Sequence, residues 1–375
     1  MITMESVITP GSGTRRSWQQ RLHLDATLLL GLVSVCGLGL VVLYSAGGQD
    51  QQLVVRQLIR LGIAFGVMFM IAQVPPRLLA RWTPWLFGLG VALLVAVLLF
   101  GDIGKGARRW LDLGFIRFQP SEMMKIAVPM MVAWYLADKR LPPSLQQLLA
   151  AGVLIAVPTA LIARQPDLGT SLLIAAAGFF VLFLAGLPWR LLGILSLVAA
   201  ACAPLVWYFM HDYQRQRVLT FLNPENDPLG SGYHIIQSKI AIGSGGLYGK
   251  GWLNGTQSHL EFLPERSTDF IFAVLGEEFG LMGILLLLAL YALILTRSLY
   301  IATQAQDTFT RLLGGSLALT FFVYVIVNTG MVTGLLPVVG LPLPLVSYGG
   351  TSMVTLMAGF GILMSIHTHR KLLPA

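Results

Sequence analysis

Charged residues and cysteines are both scarce in this chain. Only 11% of its 375 residues are Asp, Glu, Lys or Arg, whereas 55% are hydrophobic and the mean hydropathy is +0.74. This composition lies outside the range of soluble globular domains and excludes that class. The two cysteines, Cys36 and Cys202, lie in different apolar runs, where they are expected to be small packing residues. Their number therefore carries no information on the redox compartment.

Metal-ligand spacing is also missing. The six histidines are scattered along the sequence, and only His367 and His369 are close together, with Thr368 between them. We interpret this pair as part of a solvated cytoplasmic end rather than as a zinc site. No metal ligand is predicted.

The chain instead contains apolar runs of membrane-spanning length. A helix needs about 20 apolar residues to cross a bilayer. Ten runs approach that size, near residues 24–45, 56–74, 78–100, 120–137, 147–164, 169–186, 190–209, 270–296, 311–334 and 350–368. We predict an all-α integral membrane protein with ten transmembrane helices, in which residues 1–375 form a single polytopic domain. The fifth run is interrupted by Pro158. If this run were not a span, every later segment would lie on the opposite side of the membrane.

The first run follows a basic tail and is too long for the apolar core of a signal peptide. We therefore predict an uncleaved first span after a cytoplasmic tail over residues 1–23, the alternative being cleavage near Ser45-Ala46-Gly47. With a cytoplasmic N-terminus, twelve of the 25 Lys and Arg residues lie inside, so the count alone does not satisfy the positive-inside rule. The outer excess lies mainly in two loops, and long loops translocate regardless of charge. We predict a multi-pass protein of the cytoplasmic (inner) membrane with both termini cytoplasmic.

The longest polar segment, residues 210–269, separates the seventh and eighth predicted spans. We expect it on the extracytoplasmic side, where its cations suit an anionic, membrane-anchored substrate. The periodicity of residues 233–241 predicts a short amphipathic helix on the membrane surface. The glycine-rich run 243–251 lacks the spacing, the Ser or Thr and the preceding strand of a phosphate loop. We interpret it as a flexible turn whose amides are able to contact a phosphate.

A second irregular region covers residues 336–351. It is apolar, yet it contains three prolines and three glycines and cannot form a regular helix. Backbone of this kind is tolerated at membrane depth only where it is buried in protein or lines a cavity. We predict a re-entrant hairpin at the outer face, and a proline-kinked connection is the alternative.

Asp269 closes the long loop and is the first candidate for chemistry. Ser267 or Thr268 is expected to cap the eighth span, which would place Asp269 in its first turn. There the carboxylate either complements the helix dipole or acts chemically, and the pattern alone favours neither. Two turns deeper, Glu277 and Glu278 each carry a cost of roughly 2.5–3.5 kcal/mol on insertion scales. We expect one to neutralise a cation or line the site and the other to lie in a helix contact.

Further candidates lie at the starts of the fourth and sixth spans. Glu122 and Lys125 are three residues apart on one helix face. They predict either an ion pair within the bundle or the wall of a water-filled cavity in which Lys125 meets a phosphate. Arg109 suits bidentate phosphate binding, and Trp110 suits an interfacial anchor, with sugar stacking as the alternative. Asp167 is expected to cap the sixth span.

Five motifs, in order along the chain, resemble those of the SEDS family of membrane proteins. They are KGARRW (105–110), FQPSEMMK (118–125), QPDLGT (165–170), LPERSTDFIFAVLGEEFG (263–280) and PLPLVSYGGTS (342–352). The similarity covers essentially the whole membrane region. The paired arginines before Trp110 and the Pro342-Leu343-Pro344 sequence resemble the RodA branch of the family more than its division paralogue FtsW.

The resemblance implies a ten-helix peptidoglycan glycosyltransferase that polymerises lipid II at the outer face of the cytoplasmic membrane during elongation. It implies a partner, a class B penicillin-binding transpeptidase of the elongation complex, and no nucleic acid. In this family a sugar 4-hydroxyl attacks the anomeric carbon of a chain on undecaprenyl diphosphate. Because the donor bond is α and the product bond is β, the attack inverts the centre. Asp269 matches the family's essential aspartate and is the expected general base.

The departing diphosphate needs fixed cations rather than a proton donor. The predicted substrate-binding residues are Glu122, Lys125, Arg109, Trp110, Asp167, Arg217, Lys239, Arg266 and Ser347. The scheme requires no cofactor, and assistance from a divalent cation (Mg²⁺ or Mn²⁺) is left open.

Two other functions fit an integral membrane protein of this kind. A flippase or transporter of lipid-linked sugars would need ionisable groups near the midplane and access from both faces. A scaffold would only recruit the transpeptidase. The polar groups of this sequence cluster towards one face, which favours chemistry at the interface.

Overall fold

The computed structural model describes residues 22–104, 107–112, 117–210, 212–226, 231–256 and 265–369. Most of these residues are helical. The predicted cytoplasmic tail lies almost entirely outside the described residues. So do four residues of the predicted motifs, Lys105, Gly106, Leu263 and Pro264.

Twelve α-helices follow one another along the described chain. They are α1 (Ala26–Ala46), α2 (Gln51–Ala72), α3 (Pro76–Phe100), α4 (Pro120–Ala137), α5 (Leu145–Ala163), α6 (Leu168–Leu184), α7 (Trp189–Phe209), α8 (Asp212–Leu222), α9 (Ser231–Gly245), α10 (Ile271–Thr303), α11 (Thr308–Thr333) and α12 (Thr351–Thr368). Seven of these, α1, α2, α3, α5, α10, α11 and α12, are long and apolar enough to cross a membrane. Helix α6 and part of α7 are apolar but shorter. Each of the ten predicted spans overlaps one helix.

The all-helical prediction missed a small antiparallel sheet between α3 and α4. Its strands, in the order β1-β2-β3, are β1 (Asp102–Gly104), β2 (Ala107–Asp112) and β3 (Arg117–Phe118). Strands of two to six residues have too few alternating positions to give a period-2 signal. The sheet places Arg109 and Trp110 in one extended strand above the start of α4.

Helix α9 contains the predicted amphipathic segment but is longer at both ends. It packs against α10 and α11 through buried residues that include Ile235, Ser238 and Ala241. The Ser238 hydroxyl donates to the carbonyl oxygen of Val332 in α11 at 2.7 Å. The long loop is therefore folded onto the helix bundle through small and apolar side chains.

Helix α10 is broken at Gly280, whose φ of 62° and ψ of −159° belong to a region adopted almost only by glycine. The freed peptide groups pair with the glycine-rich run 243–251, which inserts at the break. The prediction that this run is a flexible turn with amides available to a phosphate is therefore wrong at residues 250 and 251. Four backbone hydrogen bonds join the two pieces, namely Lys250 to Glu277 (3.0 Å), Gly251 to Glu278 (3.0 Å), Leu281 to Gly246 (3.0 Å) and Met282 to Leu247 (3.1 Å).

The two carboxylates at this break are buried and paired. Glu277 accepts hydrogen bonds from Lys250 Nζ at 2.7 Å and from Thr256 Oγ1 at 3.1 Å. Glu278 accepts one from the hydroxyl of Ser45 near the end of α1. The expectation that one neutralises a cation and the other lies in a helix contact is confirmed.

The beginning of α1 and the end of α12 lie together. His23 Nδ1 is 3.1 Å from Thr368 Oγ1, and the ring of His23 stacks on that of His369 at 4.2 Å. We call this end of the bundle the terminus end. The opposite end, where α1 ends and α2 begins, is the loop end.

An ion pair joins α1 to α10 near the terminus end. Asp25, which caps α1, accepts hydrogen bonds from Arg297 Nε at 3.1 Å and Nη2 at 2.6 Å. Burial acts to raise the pKa of Asp25, but the hydrogen bonds from Arg297 and the Leu28 amide and the nearby positive charge hold it below its ordinary value of 3.8. The folded protein therefore favours the ionised carboxylate.

Asp25→Asn is expected to lower the free energy of unfolding by about 1.5–3 kcal/mol near neutral pH, because charge-assisted hydrogen bonds are lost while asparagine still caps the helix. The native contribution is complete above pH 3.8 and is lost as the pH falls through the lower folded-state pKa. Thermal unfolding in detergent between about pH 3 and pH 7 measures both effects. Asp50→Asn, at the exposed cap of α2, is the matched control and should change little. Equal effects of the two substitutions would contradict the prediction.

Candidate functional site

A non-helical segment, residues 334–350, connects α11 to α12 and lies among the helices. Its apolar side chains are buried, among them Leu343 and Val346. The carbonyl oxygen of Pro344 accepts a 2.7 Å hydrogen bond from Tyr291 Oη of α10. A Cβ added to Gly39 of α1 would lie 2.9 Å from Val346 Cα, so the two backbones touch. These contacts to the middles of helices favour the predicted re-entrant form over a simple kinked connection.

Asp269 lies before α10 and outside its first turn. Residues 265–270 form consecutive turns, and α10 begins at Ile271 after a Phe270 N-cap that has no side-chain hydrogen bond. Thr268 Oγ1 bonds back to the carboxylate of Glu265 at 2.7 Å. The predicted capping by Ser267 or Thr268 is therefore wrong, because the hydroxyl of Thr268 is used within the preceding turn.

Two buried side chains hold the backbone on either side of Asp269. Asn328 Nδ2 donates to the carbonyl oxygens of Asp269 at 2.9 Å and Leu341 at 2.7 Å. Ser347 Oγ donates to Thr268 O at 2.6 Å and accepts from the Leu343 amide at 2.8 Å. The turns that carry Asp269 are thereby tied to the non-helical segment.

Asp269 lies below the loop end rather than at it. Asn328, which contacts it, is five residues before the end of α11, or about 8 Å along the helix axis. The Asp269 side chain is half-buried, so it is neither sealed in packed helices nor fully exposed. The carboxylate therefore lies in a recess below the loop end.

Gly340 lies against the carboxylate of Asp269. Its φ is 77°, and an added Cβ would lie 3.5 Å from Asp269 Oδ2. Leu345 in the same segment and Glu265 in the turns also have positive φ, at 63° and 53°. Backbone strain of this kind, in residues other than glycine, is concentrated at functional sites.

Glu122 and Lys125 form the predicted ion pair in α4. Lys125 Nζ is 2.6 Å from Glu122 Oε1, and both residues are buried. Lys125 Nζ also lies 5.4 Å from the ring centroid of Tyr324 in α11 and lines a cavity of about 30 Å³. The ion pair is therefore present, and a water-filled cavity in which Lys125 meets a phosphate stays a prediction.

Arg109 and Asp167 lie together beside the non-helical segment. Arg109 Nη2 donates to Pro166 O at 2.5 Å, and its Nε is 3.9 Å from Asp167 Oδ2. Asp167 caps α6 by accepting from the Thr170 amide at 3.3 Å, as predicted. A Cβ on Gly169 would lie 2.5 Å from Val339 Cγ1, which places this cluster against the segment that contacts Asp269.

The other predicted substrate-binding residues lie outside these two clusters. Trp110 is half-buried in β2, and Ser347 is buried with its hydroxyl engaged by backbone, which favours a positioning role for that serine. Arg266 lies near the α1–α2 turn, since a Cβ on Gly48 would be 3.7 Å from its Nη2. Arg217 and Lys239 are exposed on α8 and α9, and neither makes a hydrogen bond or ion pair with the described residues.

Three polar residues in apolar spans were missed from the sequence. Asn328 and Gln57 are buried, and Gln57 Nε2 donates to Ser347 O at 3.3 Å. Tyr324 is buried beside Lys125. The signal was available, because a polar side chain inside a membrane span marks a site or a backbone contact.

No group of three or more His, Cys, Asp or Glu among the described residues has the arrangement of a metal site. The carboxylates of Glu122 and Glu277 are already paired with lysines. A divalent cation at a diphosphate would draw most of its ligands from phosphate and water. The predicted option of Mg²⁺ or Mn²⁺ therefore stays open.

Comparison with known proteins gives consistent results. Residues 19–372 match a family model for FtsW, RodA and SpoVE, described as cell cycle proteins. The peptidoglycan glycosyltransferase MrdB of Escherichia coli K12 is 59% identical over 360 residues, covering 96% of this chain and 97% of that protein. A probable peptidoglycan glycosyltransferase FtsW of Trichlorobacter lovleyi is 38% identical over 366 residues, covering 93% and 94%. A chain of a solved peptidoglycan synthase complex, described as coordinating polymerization and crosslinking, superposes with a TM-score of 0.81 at 35% identity, covering 93% of this chain and 98% of that one.

Glu122→Gln and Lys125→Met are each expected to reduce the free energy of unfolding by about 3–5 kcal/mol, because either one leaves a buried charge without its partner. The double substitution should recover most of this loss, since both charges are removed together. Chemical unfolding of the four proteins in detergent gives the coupling energy. Additive losses in the double variant would contradict a coupled buried pair.

Proposed function

The chain belongs to the FtsW, RodA and SpoVE family of cell cycle proteins, and from this premise we propose that it is a peptidoglycan glycosyltransferase that polymerises lipid II during cell elongation. Its identity to the E. coli MrdB protein is 59%, against 38% to the FtsW protein of T. lovleyi. The identity to MrdB supports the elongation function, whereas RodA of Treponema pallidum at 31% is less similar than FtsW, so identity alone does not separate the two functions.

The half-buried carboxylate of Asp269 carries the proposal. It lies in a recess below the loop end, held by buried hydrogen bonds from Asn328 and Ser347 to the backbone around it. A general base must be positioned before it acts and must be reachable by the substrate. A fixed, accessible carboxylate next to apolar helices suits a sugar substrate anchored by a lipid.

In the proposed reaction Asp269 accepts the proton of a sugar 4-hydroxyl as that oxygen attacks the anomeric carbon of the donor. The new bond between carbon and the acceptor oxygen forms as the bond between that carbon and the diphosphate oxygen breaks. The carbon is inverted, and the diphosphate leaves with the bonding electrons. A base of this kind contributes about 10²–10⁴-fold to the rate.

The leaving diphosphate requires positive charge. Lys239 and Arg217 are available near the loop end because they have no partner among the described residues. Lys125 forms an ion pair with Glu122, and Arg109 contacts Pro166 and Asp167. We therefore assign Lys125 and Arg109, with their carboxylate partners, to positioning side chains and setting the charge around the recess.

For the topology, we propose ten spans with both termini in the cytoplasm and the loop end on the extracytoplasmic side. Seven crossings would leave the chain ends on opposite sides, whereas His23 and Thr368 are in contact. If α4, α6 and α7 also cross the membrane, there are ten crossings, and an even number places His23 and Thr368 on the same side. An alkaline phosphatase reporter inserted after Gly243 should be active, and one fused after Ala375 should be inactive. The opposite pattern would exclude this orientation.

The proposed partner is a class B penicillin-binding transpeptidase of the elongation complex. The chain resembles a subunit of a peptidoglycan synthase complex over 93% of its length, and that complex is described as coordinating polymerization with crosslinking. Activity is therefore best measured with and without such a partner.

Asp269→Asn is expected to reduce lipid II polymerisation at least 10²-fold without loss of folding, because asparagine keeps the shape but cannot accept the proton. Polymer formed by purified protein with the transpeptidase is measured on gels. Asp50→Asn, an exposed cap of α2, is the matched control and should retain activity.

Other outcomes separate the rival functions. Full activity of Asp269→Asn would remove the base assignment. Absence of polymer from the wild-type complex, together with transfer of lipid II across vesicles, would instead identify a flippase. Absence of both activities would leave a scaffold.

A further inference from the structure

A line of polar residues runs down the apolar helix α2. Gln52, Arg56 and Arg60 are spaced by four residues, and Arg56 Nη2 donates to Gln52 Oε1 at 3.4 Å. Arg60 lies nine residues after the start of α2, or about 14 Å along the axis from the loop end. An arginine at such depth is costly and marks a functional site.

Arg60 has no charged partner among the described residues. Its guanidinium carbon lies 4.3 Å from the ring centroid of Tyr348, and it makes no hydrogen bond or ion pair with the described part of the chain. Its side chain is half-buried. Stacking orients the guanidinium but leaves its N–H donors available.

The space beside Arg60 is bounded by the start of α12. A Cβ on Gly350 would lie 3.6 Å from Arg60 Nε, whereas a Cβ on Gly349 would meet nothing within 4 Å. Gly350 is the N-cap and supplies no side-chain hydrogen bond. The first amides of α12 thus add their unpaired donors and positive dipole to the guanidinium.

A hydrogen bond connects the surroundings of Arg60 to the turns that carry Asp269. The Tyr348 amide donates to Ser267 O at 2.8 Å, two residues before Asp269. Beside Arg60 on the surface of α2, Ile59 and Ile63 are 59% and 57% exposed, so apolar surface lies next to the guanidinium. The cation Arg60, the apolar surface of Ile59 and Ile63, and the candidate base Asp269 therefore belong to one connected region.

We propose that Arg60, Tyr348 and the first turn of α12 bind the diphosphate of a polyprenyl-linked substrate that reaches the recess along α2, with Arg56 as a second cation one turn nearer the loop end. A diphosphate carries at least two negative charges, and two arginines one helical turn apart match it better than they match a phospholipid with one negative charge. The identity of the lipid rests on the proposed function. The site for a membrane-borne anion rests on the contacts of Arg60.

The test uses full-length protein with Asp269→Asn, which prevents turnover, in nanodiscs. Binding of undecaprenyl diphosphate is compared with undecaprenol and with phosphatidylglycerol by native mass spectrometry. Adding Arg60→Gln should weaken diphosphate binding by about 10- to 100-fold and leave undecaprenol binding unchanged. Arg60→Lys should recover part of the affinity, since it keeps the charge but loses the planar donors. Arg164→Gln, an exposed arginine after α5 with no side-chain partner among the described residues, is the control.

In the active protein, Arg60→Gln should raise KM for lipid II more than it lowers kcat. Unchanged diphosphate binding in Arg60→Gln would overturn the proposal. So would an equal loss for undecaprenol, which would indicate packing, or for phosphatidylglycerol, which would indicate a general headgroup site. Arg60-dependent diphosphate binding by a protein that makes no polymer would uphold the site and refute the proposed polymerase.

Discussion

Hydrogen bonds from buried side chains to backbone make the site possible. Two stretches without helical hydrogen bonding, residues 265–270 and 334–350, lie below the loop end, where their buried peptide groups need partners within the protein. Asn328 and Ser347 satisfy carbonyl oxygens of both stretches, and the Tyr348 amide adds a third link. Because these links converge around Asp269, the same bonds that allow irregular backbone at this depth also fix the backbone that carries the carboxylate.

The break in α10 also leaves peptide groups that need partners, and here backbone rather than side chains supplies them. Gly280 interrupts the helical ladder, and the glycine-rich run supplies backbone partners on both sides of the interruption. Glu277 and Glu278 are then paired with Lys250 and with Ser45 of α1. The long loop is consequently part of the membrane fold, and the start of α10 that follows Asp269 is held by it.

Structural features that depend on one helix alone could be predicted from the sequence. The apolar helices, the Asp167 cap and the Glu122–Lys125 pair each depend on spacing within a single helix. Prediction failed where two distant segments meet. The amides near Lys250 pair with α10, and Asn328 was missed because its partner Asp269 is 59 residues away in sequence. The capping prediction failed for a local reason, because Thr268 bonds to Glu265 three residues before it. The short sheet around Trp110 was too small to leave a periodic signal.

The distribution of charge separates a fixed catalytic site from a transport path. Glu122 and Glu277 are each bound by a lysine at 2.6–2.7 Å, and Asp25 is held by Arg297 near the terminus end. Breaking such buried pairs is costly, so they hold the helices in one arrangement and do not favour alternating access. Arg60 differs, because it stacks on the face of Tyr348 and makes no hydrogen bond or ion pair with the described residues. A cation kept at membrane depth without a carboxylate is best explained by a ligand that brings the negative charge with it.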